Sequence, residues 1–194
     1  MLYTRKGDNG TTGLFSAKGR PASGWGCDQR ISKSSIITEA LGSLDEVNSF
    51  LGFCKVRARE GKFVVPSNIK GDQAIHDVQK NLFIIQAELA GASMSIDEEK
   101  VKELEMMVDS IEKELPPIKT FFISGGTELA SLFDIARTIC RRAERRVINV
   151  SEESKIPINK FTLAYLNRLS SLLYAFARYS NHKFGILEES PDYK

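Results

Sequence analysis

The feature that most constrains this chain is a rhythm with its punctuation: apolar residues recur at alternating three- and four-residue steps, and all six prolines stand outside those stretches. A proline inside a helix removes a backbone donor and collides with the preceding turn, so Pro21, Pro66, Pro116, Pro117, Pro157 and Pro191 mark where helices cannot run. From about 36 to 59, Ala40, Leu44, Val47, Leu51 and Cys54 form one seam; from 69 to 93, Ile75, Val78, Leu82, Ile85, Leu89 and Ala92 form a second. Val101, Leu104, Val108, Ile111 and Leu115 repeat the pattern over 97–115. A fourth helix is expected over 127–151, behind Gly125 and Gly126 with Thr127 as N-cap, and a fifth over 158–183. Five such helices with short connections describe an all-α bundle. Residues 1–30 have no helical period, are rich in Gly, Thr and Ser, and read as loop or short extended structure.

A chain of 194 residues with 42% hydrophobic content makes one domain, taken here as 1–194. Net charge is only +2, from 27 basic and 25 acidic residues, far from the balance of a typical nucleic-acid binder. With no apolar run of membrane-spanning length and an N-terminus polar within a few residues, a cytoplasmic protein is expected, with no membrane partner. Cys27, Cys54 and Cys140 have no C-x-x-C spacing and are expected as free thiols. The two histidines, His76 and His182, build no H-E-x-x-H or E-x-x-H motif, which argues against zincin or di-iron chemistry.

Positive charge is concentrated locally. The segment ARTICRRAERRV from Ala136 places Arg137, Arg141, Arg142, Arg145 and Arg146 over about half of a helical wheel, with Glu144 beside Arg137 and Arg141. Leu129, Leu132, Phe133, Ala136, Ile139, Cys140, Ala143 and Val147 fill the other half. Arginine forks onto phosphate or carboxylate oxygens, so a polyphosphate is a natural partner; a solvated face paired with nearby acids accounts for the same spacing.

Four further segments can carry chemistry. In TRKGDNGTTGL, from Thr4, the evenly spaced Gly7, Gly10 and Gly13 let backbone N–H groups converge on an anion. Thr4, Thr11 and Thr12 add hydroxyls there, Arg5 and Lys6 add charge, and Asp8 can hold hydrated Mg²⁺. The spacing is not that of a P-loop, and a flexible tail with an Asp8-Asn9-Gly10 turn remains open. In LGSLDEVN, Asp45 and Glu46 sit within an apolar run, which places at least one carboxylate near the bundle interior beside an arginine of the fourth helix. On the last helix, Asn167, Ser170, Tyr174, Arg178 and Asn181 form a polar line that spacing reads as a solvated face. In FFISGG, adjacent aromatics precede a Gly-Gly turn and mark either an apolar ligand surface or a loop anchor.

In this order, TRKGDNGTTGL, EALGSLDEVNSFLG, FFISGGTELAS, ARTICRRAERRV and YLNRLSSLLY make the chain resemble the PduO-type ATP:cob(I)alamin adenosyltransferases over nearly its whole length. The resemblance implies a five-helix bundle that assembles as a homotrimer. ATP would lie at each subunit interface, between the irregular N-terminal loop of one chain and the arginine helix of its neighbour. Thr4, Arg5, Lys6, Gly7 and Thr12 match the family's ATP loop, which also takes in Asp8, Gly10 and Thr11, and Lys33 falls where the family has a phosphate-binding lysine. Arg141, Arg142, Glu144 and Arg145 match the ATP-binding helix, and Asn167 the nucleotide-contacting asparagine. Asp45 and Arg137 match a pair that braces the interface, and Phe121 the aromatic that presses on the lower axial face of cobalt. Arg141, Phe121, Asp45 and Arg137 are thus the expected catalytic set. The chain departs from the family pattern at Ser34, Ser35 and Ile36 after the lysine, at Ser124, and in PASGWGCDQR from Pro21 to Arg30.

The implied reaction is attack of cob(I)alamin on the 5′ carbon of ATP, giving adenosylcobalamin and inorganic triphosphate. Its substrates are ATP and the corrinoid, with Mg²⁺ carried mainly on the ATP phosphates. A reductase and a cobalamin-dependent enzyme are the implied further partners. The competing readings are a noncatalytic bundle that binds corrinoid or nucleotide for delivery or sensing, and a helical RNA-binding protein using the arginine face.

Overall fold

The computed structural model describes residues 3, 5–14, 30–154 and 156–193. The five helices are α1 (Ile36–Glu60), α2 (Gly71–Leu89), α3 (Glu98–Glu112), α4 (Glu128–Glu153) and α5 (Lys160–Lys183). Four begin where a short polar side chain accepts from a free backbone N–H of the first turn: Ser35 from Thr38, Asp97 from Lys100, Thr127 from Ala130 and Asn159 from Phe161. α4 packs against both α1 and α5, α2 lies against α1, and α3 lies against α5.

The apolar seams all face this interior. Ala40, Leu44, Leu51 and Cys54 of α1, Leu82 and Ile85 of α2, and Phe133, Ala136, Cys140, Ala143 and Val147 of α4 are fully buried. Beside the far end of the bundle, Phe133 and Phe176 pack with ring centroids 5.2 Å apart, and Phe63 sits 5.7 Å from each. Each such ring stabilises the fold by roughly 2–3 kcal/mol relative to an exposed one.

Two small hairpins finish the architecture. β1 (Thr11–Gly13) pairs antiparallel with β2 (Arg30–Ser32), setting Thr11 opposite Ser32 and Thr12 opposite Ile31. β3 (Val64–Val65) pairs with β4 (Ile69–Lys70) around a single 3₁₀ turn that starts at Pro66. The expected second helix therefore starts two residues late, because residues 69 and 70 are committed to β4. It ends at Leu89 because Gly91, at φ 90°, turns the chain away.

Two expectations are corrected. Asp45 and Glu46 are both exposed, because a seam centred on Leu44 and Val47 turns the two residues between them onto the outward arc. The polar line of α5 is not a solvated face: Ser170, Arg178 and Asn181 are buried and only Asn167 is exposed. α5 is covered on one side by α4 and on the other by α3, and the segment after its C-terminus covers Arg178.

Candidate functional site

The N-terminal loop is a folded unit. Arg30 closes it from β2, with Nε donating to Thr11 Oγ1 at 2.7 Å and Nη2 donating to the carbonyls of Thr11 at 2.7 Å and Lys6 at 2.5 Å. Gly10, at φ 77°, donates to the Gly7 carbonyl at 3.2 Å and accepts from the Lys33 amide at 2.9 Å, so the turn after Asp8 is tied to the start of α1. This brings the Lys33 side chain directly against Gly7. Arg5 and Asp8 are exposed, Thr12 is half-buried, and Thr4 lies outside the described residues. Thr12 and Leu14 border a hollow of about 710 Å³ whose far wall includes Thr38, Asp45 and Phe83.

The arginines of α4 divide into two stripes. Toward α1, Arg142 Nη2 pairs with Glu46 at 2.5 Å and Arg146 Nε with Glu39 at 3.4 Å. Toward α5, Arg141 and Arg145 have no carboxylate within 4.0 Å among the described residues. Arg137, one turn earlier, faces Tyr174 with its guanidinium carbon 5.7 Å from the ring centroid, and its Nε lies 3.8 Å from Asp134. That is ionic range but too long for a hydrogen bond, and Arg137 Nε is buried without a hydrogen-bond partner among the described residues. Burial pushes the Asp134 carboxyl above its ordinary value, against the pull of Arg137. Asn167 Nδ2 donates to Glu144 at 3.0 Å, and its own carbonyl accepts from Arg168 at 2.8 Å.

Phe121 closes this arrangement. It is 78% exposed at the rim of a hollow of about 610 Å³ shared with Ser124, Arg137, Arg141, Ser170 and Tyr174. Cationic groups and an apolar ring thus meet across one opening: the guanidinium groups of Arg137 and Arg141 on one side, the exposed Phe121 on the other. Among the described residues, this hollow and the one beside the N-terminal loop share no lining residue. A third hollow, about 820 Å³, lies between the end of α1, the β3–β4 hairpin and the start of α4 and contains none of the candidate residues. Among the described residues, no three His, Cys, Asp or Glu side chains gather into a metal cage.

Arg30, Asp134 and Glu188 belong to the surroundings of the site and went unmarked by motif and spacing. Arg30 sits at the end of an aperiodic stretch, and Glu188 acts through a partner ten residues away with no periodicity between them.

The chain resembles known proteins over nearly all of its length. The family model described as cobalamin adenosyltransferase matches residues 2–180, which leaves the segment after Ser180 outside the match. The corrinoid adenosyltransferase PduO of Citrobacter freundii is 37% identical over 93% of the chain and 50% of its own length, so the chain spans half of that relative. A corrinoid adenosyltransferase of Bacillus subtilis is 36% identical over 95% of the chain and 89% of its own length. Among solved structures, a variant PduO-type ATP:corrinoid adenosyltransferase from Lactobacillus reuteri, complexed with cobalamin and ATP, superposes with a TM-score of 0.81 at 28% identity. That superposition covers 100% of this chain and 97% of the other. With the arginine stripe, the glycine loop and the exposed Phe121 in the matched region, the chain belongs to the cobalamin adenosyltransferase family.

Proposed function

We propose that this protein transfers the 5′-deoxyadenosyl group of ATP to the cobalt of cob(I)alamin, releasing inorganic triphosphate. The observation that carries the reading is Arg141, whose guanidinium has no carboxylate partner among the described residues, lining the hollow that Phe121 overhangs, with Arg145, equally without one, a turn further along α4. Triphosphate is the leaving group. Cobalt donates its electron pair to C5′, the Co–C bond forms as the C5′–O bond breaks, and the triphosphate departs with the pair from that bond. Charge therefore grows on the bridging oxygen as the transition state is reached, where fixed cations stabilise it more than the ground state. Arg141, Arg145 and Arg142 from α4, with Lys33, Arg5, Lys6, Gly7, Gly10, Thr4, Thr11 and Thr12 from the loop region, are the proposed triphosphate-binding residues. Glu144 and Asn167, hydrogen-bonded to one another, are the proposed nucleoside contacts.

No side chain need act as a base, because the cobalt is itself the nucleophile. Mg²⁺ fits as the chelate of the ATP phosphates: with no side-chain cage among the described residues, its shell would be phosphate oxygen and water, with Asp8 the nearest carboxylate of the loop. The corrinoid would lie over the hollow with Phe121 against its lower face, excluding an axial ligand.

A homotrimer completes the site. Among the described residues of one chain the loop hollow and the arginine hollow share no lining residue, Arg137 Nε lacks a hydrogen-bond partner, and Asp45 stands exposed; a neighbouring copy would bring Asp45 to Arg137 and the loop to the arginine stripe. The proposed setting is the cytoplasm, with a reductase that supplies Co(I) and a cobalamin-dependent enzyme that takes the product as further partners.

The test is an anaerobic mixture of the protein, chemically reduced cob(I)alamin and MgATP, followed by the corrinoid spectrum and by triphosphate assay. Loss of the Co(I) band with equal yields of adenosylcobalamin and triphosphate is expected. ATP and corrinoid binding with no spectral change would replace the transferase by a noncatalytic carrier.

A further inference from the structure

The segment after α5 folds back along the loop that carries Phe121. Glu188 receives both Nε and Nη2 of Arg178 at 2.7 Å, a forked ion pair in which the arginine side chain is only 5% exposed. Arg178 Nη2 also donates to the Pro116 carbonyl at 3.0 Å, and its guanidinium carbon lies 5.2 Å from the Phe122 ring centroid. One residue further on, the Glu189 carbonyl accepts from the Ile123 amide at 2.8 Å. The loop is thus gripped at the two residues that follow Phe121, at Phe122 by a cation over the ring and at Ile123 by a backbone hydrogen bond. Its far end is held separately, by Asn181, which donates to the Gly125 carbonyl at 2.8 Å and accepts from the Thr127 amide at 2.9 Å.

Phe121 itself is exposed, so the direction of its ring follows from where Phe122 and Ile123 fix the backbone. A buried ion pair costs desolvation and need not stabilise a fold, which directs attention to what this one orients. We propose that Arg178, Glu188 and the Glu189 carbonyl are positioning residues: they form a strap that aims Phe121 into the hollow beside Arg141 and so govern the step in which the corrinoid gives up its lower ligand. This inference rests on the role given to Phe121 above.

Full-length Glu188→Ala tests it, with Glu188→Gln as the conservative variant. Because Glu188→Ala leaves a buried guanidinium unpaired, the double variant Arg178→Met/Glu188→Met serves where the single one fails to fold. Three quantities are read: hydrogen exchange of the Ile123 amide, ATP affinity, and turnover from cob(II)alamin with a chemical reductant against turnover from pre-reduced cob(I)alamin. Loss of the strap is expected to speed Ile123 exchange by about 10-fold or more while the α5 amides stay protected. Turnover from cob(II)alamin should fall about 10-fold, with ATP affinity and turnover from cob(I)alamin within about 2-fold of wild type, and Glu188→Gln should recover part of the loss. Faster exchange with both turnover routes unchanged would overturn the proposal, as would equal losses in both routes together with weakened ATP binding. Wild-type protein inert in both routes would instead overturn the reaction assigned to the site, while exchange at Ile123 would still report whether the strap holds the loop.

Discussion

Lys33 and Gly7 touch: a Cβ built on Gly7 would lie 3.0 Å from the Lys33 ammonium nitrogen, 3.2 Å from its Cε and 3.3 Å from the Thr11 carbonyl. The first two neighbours are the end of a flexible side chain, but the third is backbone of β1, so a methyl group here must displace the lysine rather than the strand. Gly7→Ala is therefore expected to keep the fold and to raise the KM for ATP several-fold, because the ammonium leaves its place at the loop. Lys33→Ala removes the charge altogether and should lower kcat/KM by about 10²-fold. Steady-state kinetics with varied MgATP, beside a thermal melt of each variant, decide the matter; equal kinetics for Gly7→Ala and wild type would remove Gly7 from the site.

The two arginine stripes of α4 should separate in function. Arg141 has no carboxylate partner among the described residues, whereas Arg142 must be released from Glu46 before it can serve a ligand. Arg141→Ala is expected to lose about 10²–10³-fold in kcat/KM, and Arg142→Ala clearly less. Arg141→Lys keeps the charge but not the fork, and should recover only a minor part. Ranking the three kinetically, with ATP binding measured apart from turnover, checks it; a larger loss for Arg142 than for Arg141 contradicts the assignment.

That division explains what was and was not legible beforehand. The 3.6-residue period is a local property, so the helices could be placed to within a few residues, and Thr127 and the Gly125-Gly126 break announced where α4 begins. Which arginines are free is not local. It depends on Glu39 and Glu46, two turns apart on α1, facing one side of α4 while α5 faces the other. The burial of Arg178 escaped for the same reason: its partner Glu188 lies in an aperiodic segment whose path only tertiary packing decides. The β3–β4 hairpin is built of two-residue strands, too short to show alternation.

Glu88 is a buried carboxylate with a structural task. Its oxygens accept from the Asn159 amide at 2.7 Å and from Thr162 Oγ1 at 2.5 Å, and so hold the first turn of α5, the helix that carries Asn167. Glu88→Ala leaves both donors unsatisfied in the interior and should cost about 3 kcal/mol, roughly 6–12 °C in Tm for a chain of this size. Differential scanning calorimetry reads this directly. A shift below about 2 °C would mean that water replaces the carboxylate.

The thiols give a pH dependence with a definite sign. Cys54 and Cys140 are fully buried, and burial pushes each from 9.0 up to about 12. An acid whose folded value is raised is ionised first in the unfolded chain, so the unfolded state gains the advantage as pH rises. Stability should hold below about pH 9 and decline above it toward about 12, and Cys54→Ala/Cys140→Ala should decline less steeply. Urea midpoints across that range check the slope; identical slopes for variant and wild type would assign the decline to other groups.

Phe121 offers the sharpest separation of folding from chemistry. Its ring is 78% exposed, so Phe121→Ala should leave the melting temperature within about 1–2 °C of wild type, as for an ordinary surface change. In the proposed reaction its work lies in the reductive step: a lower axial ligand on cobalt raises the cost of adding an electron, and an apolar ring in that place would keep the ligand away. Turnover from cob(II)alamin with a reductant should therefore fall by about 10²-fold, while turnover from cob(I)alamin, where the electron is already present, falls far less. A larger apolar ring should preserve what alanine loses, so Phe121→Trp is expected to retain more of the cob(II)alamin route than Phe121→Ala. If alanine leaves both routes at the wild-type rate, the exposed ring has no part in the reaction, and the hollow beside Arg141 must exclude the ligand by another group.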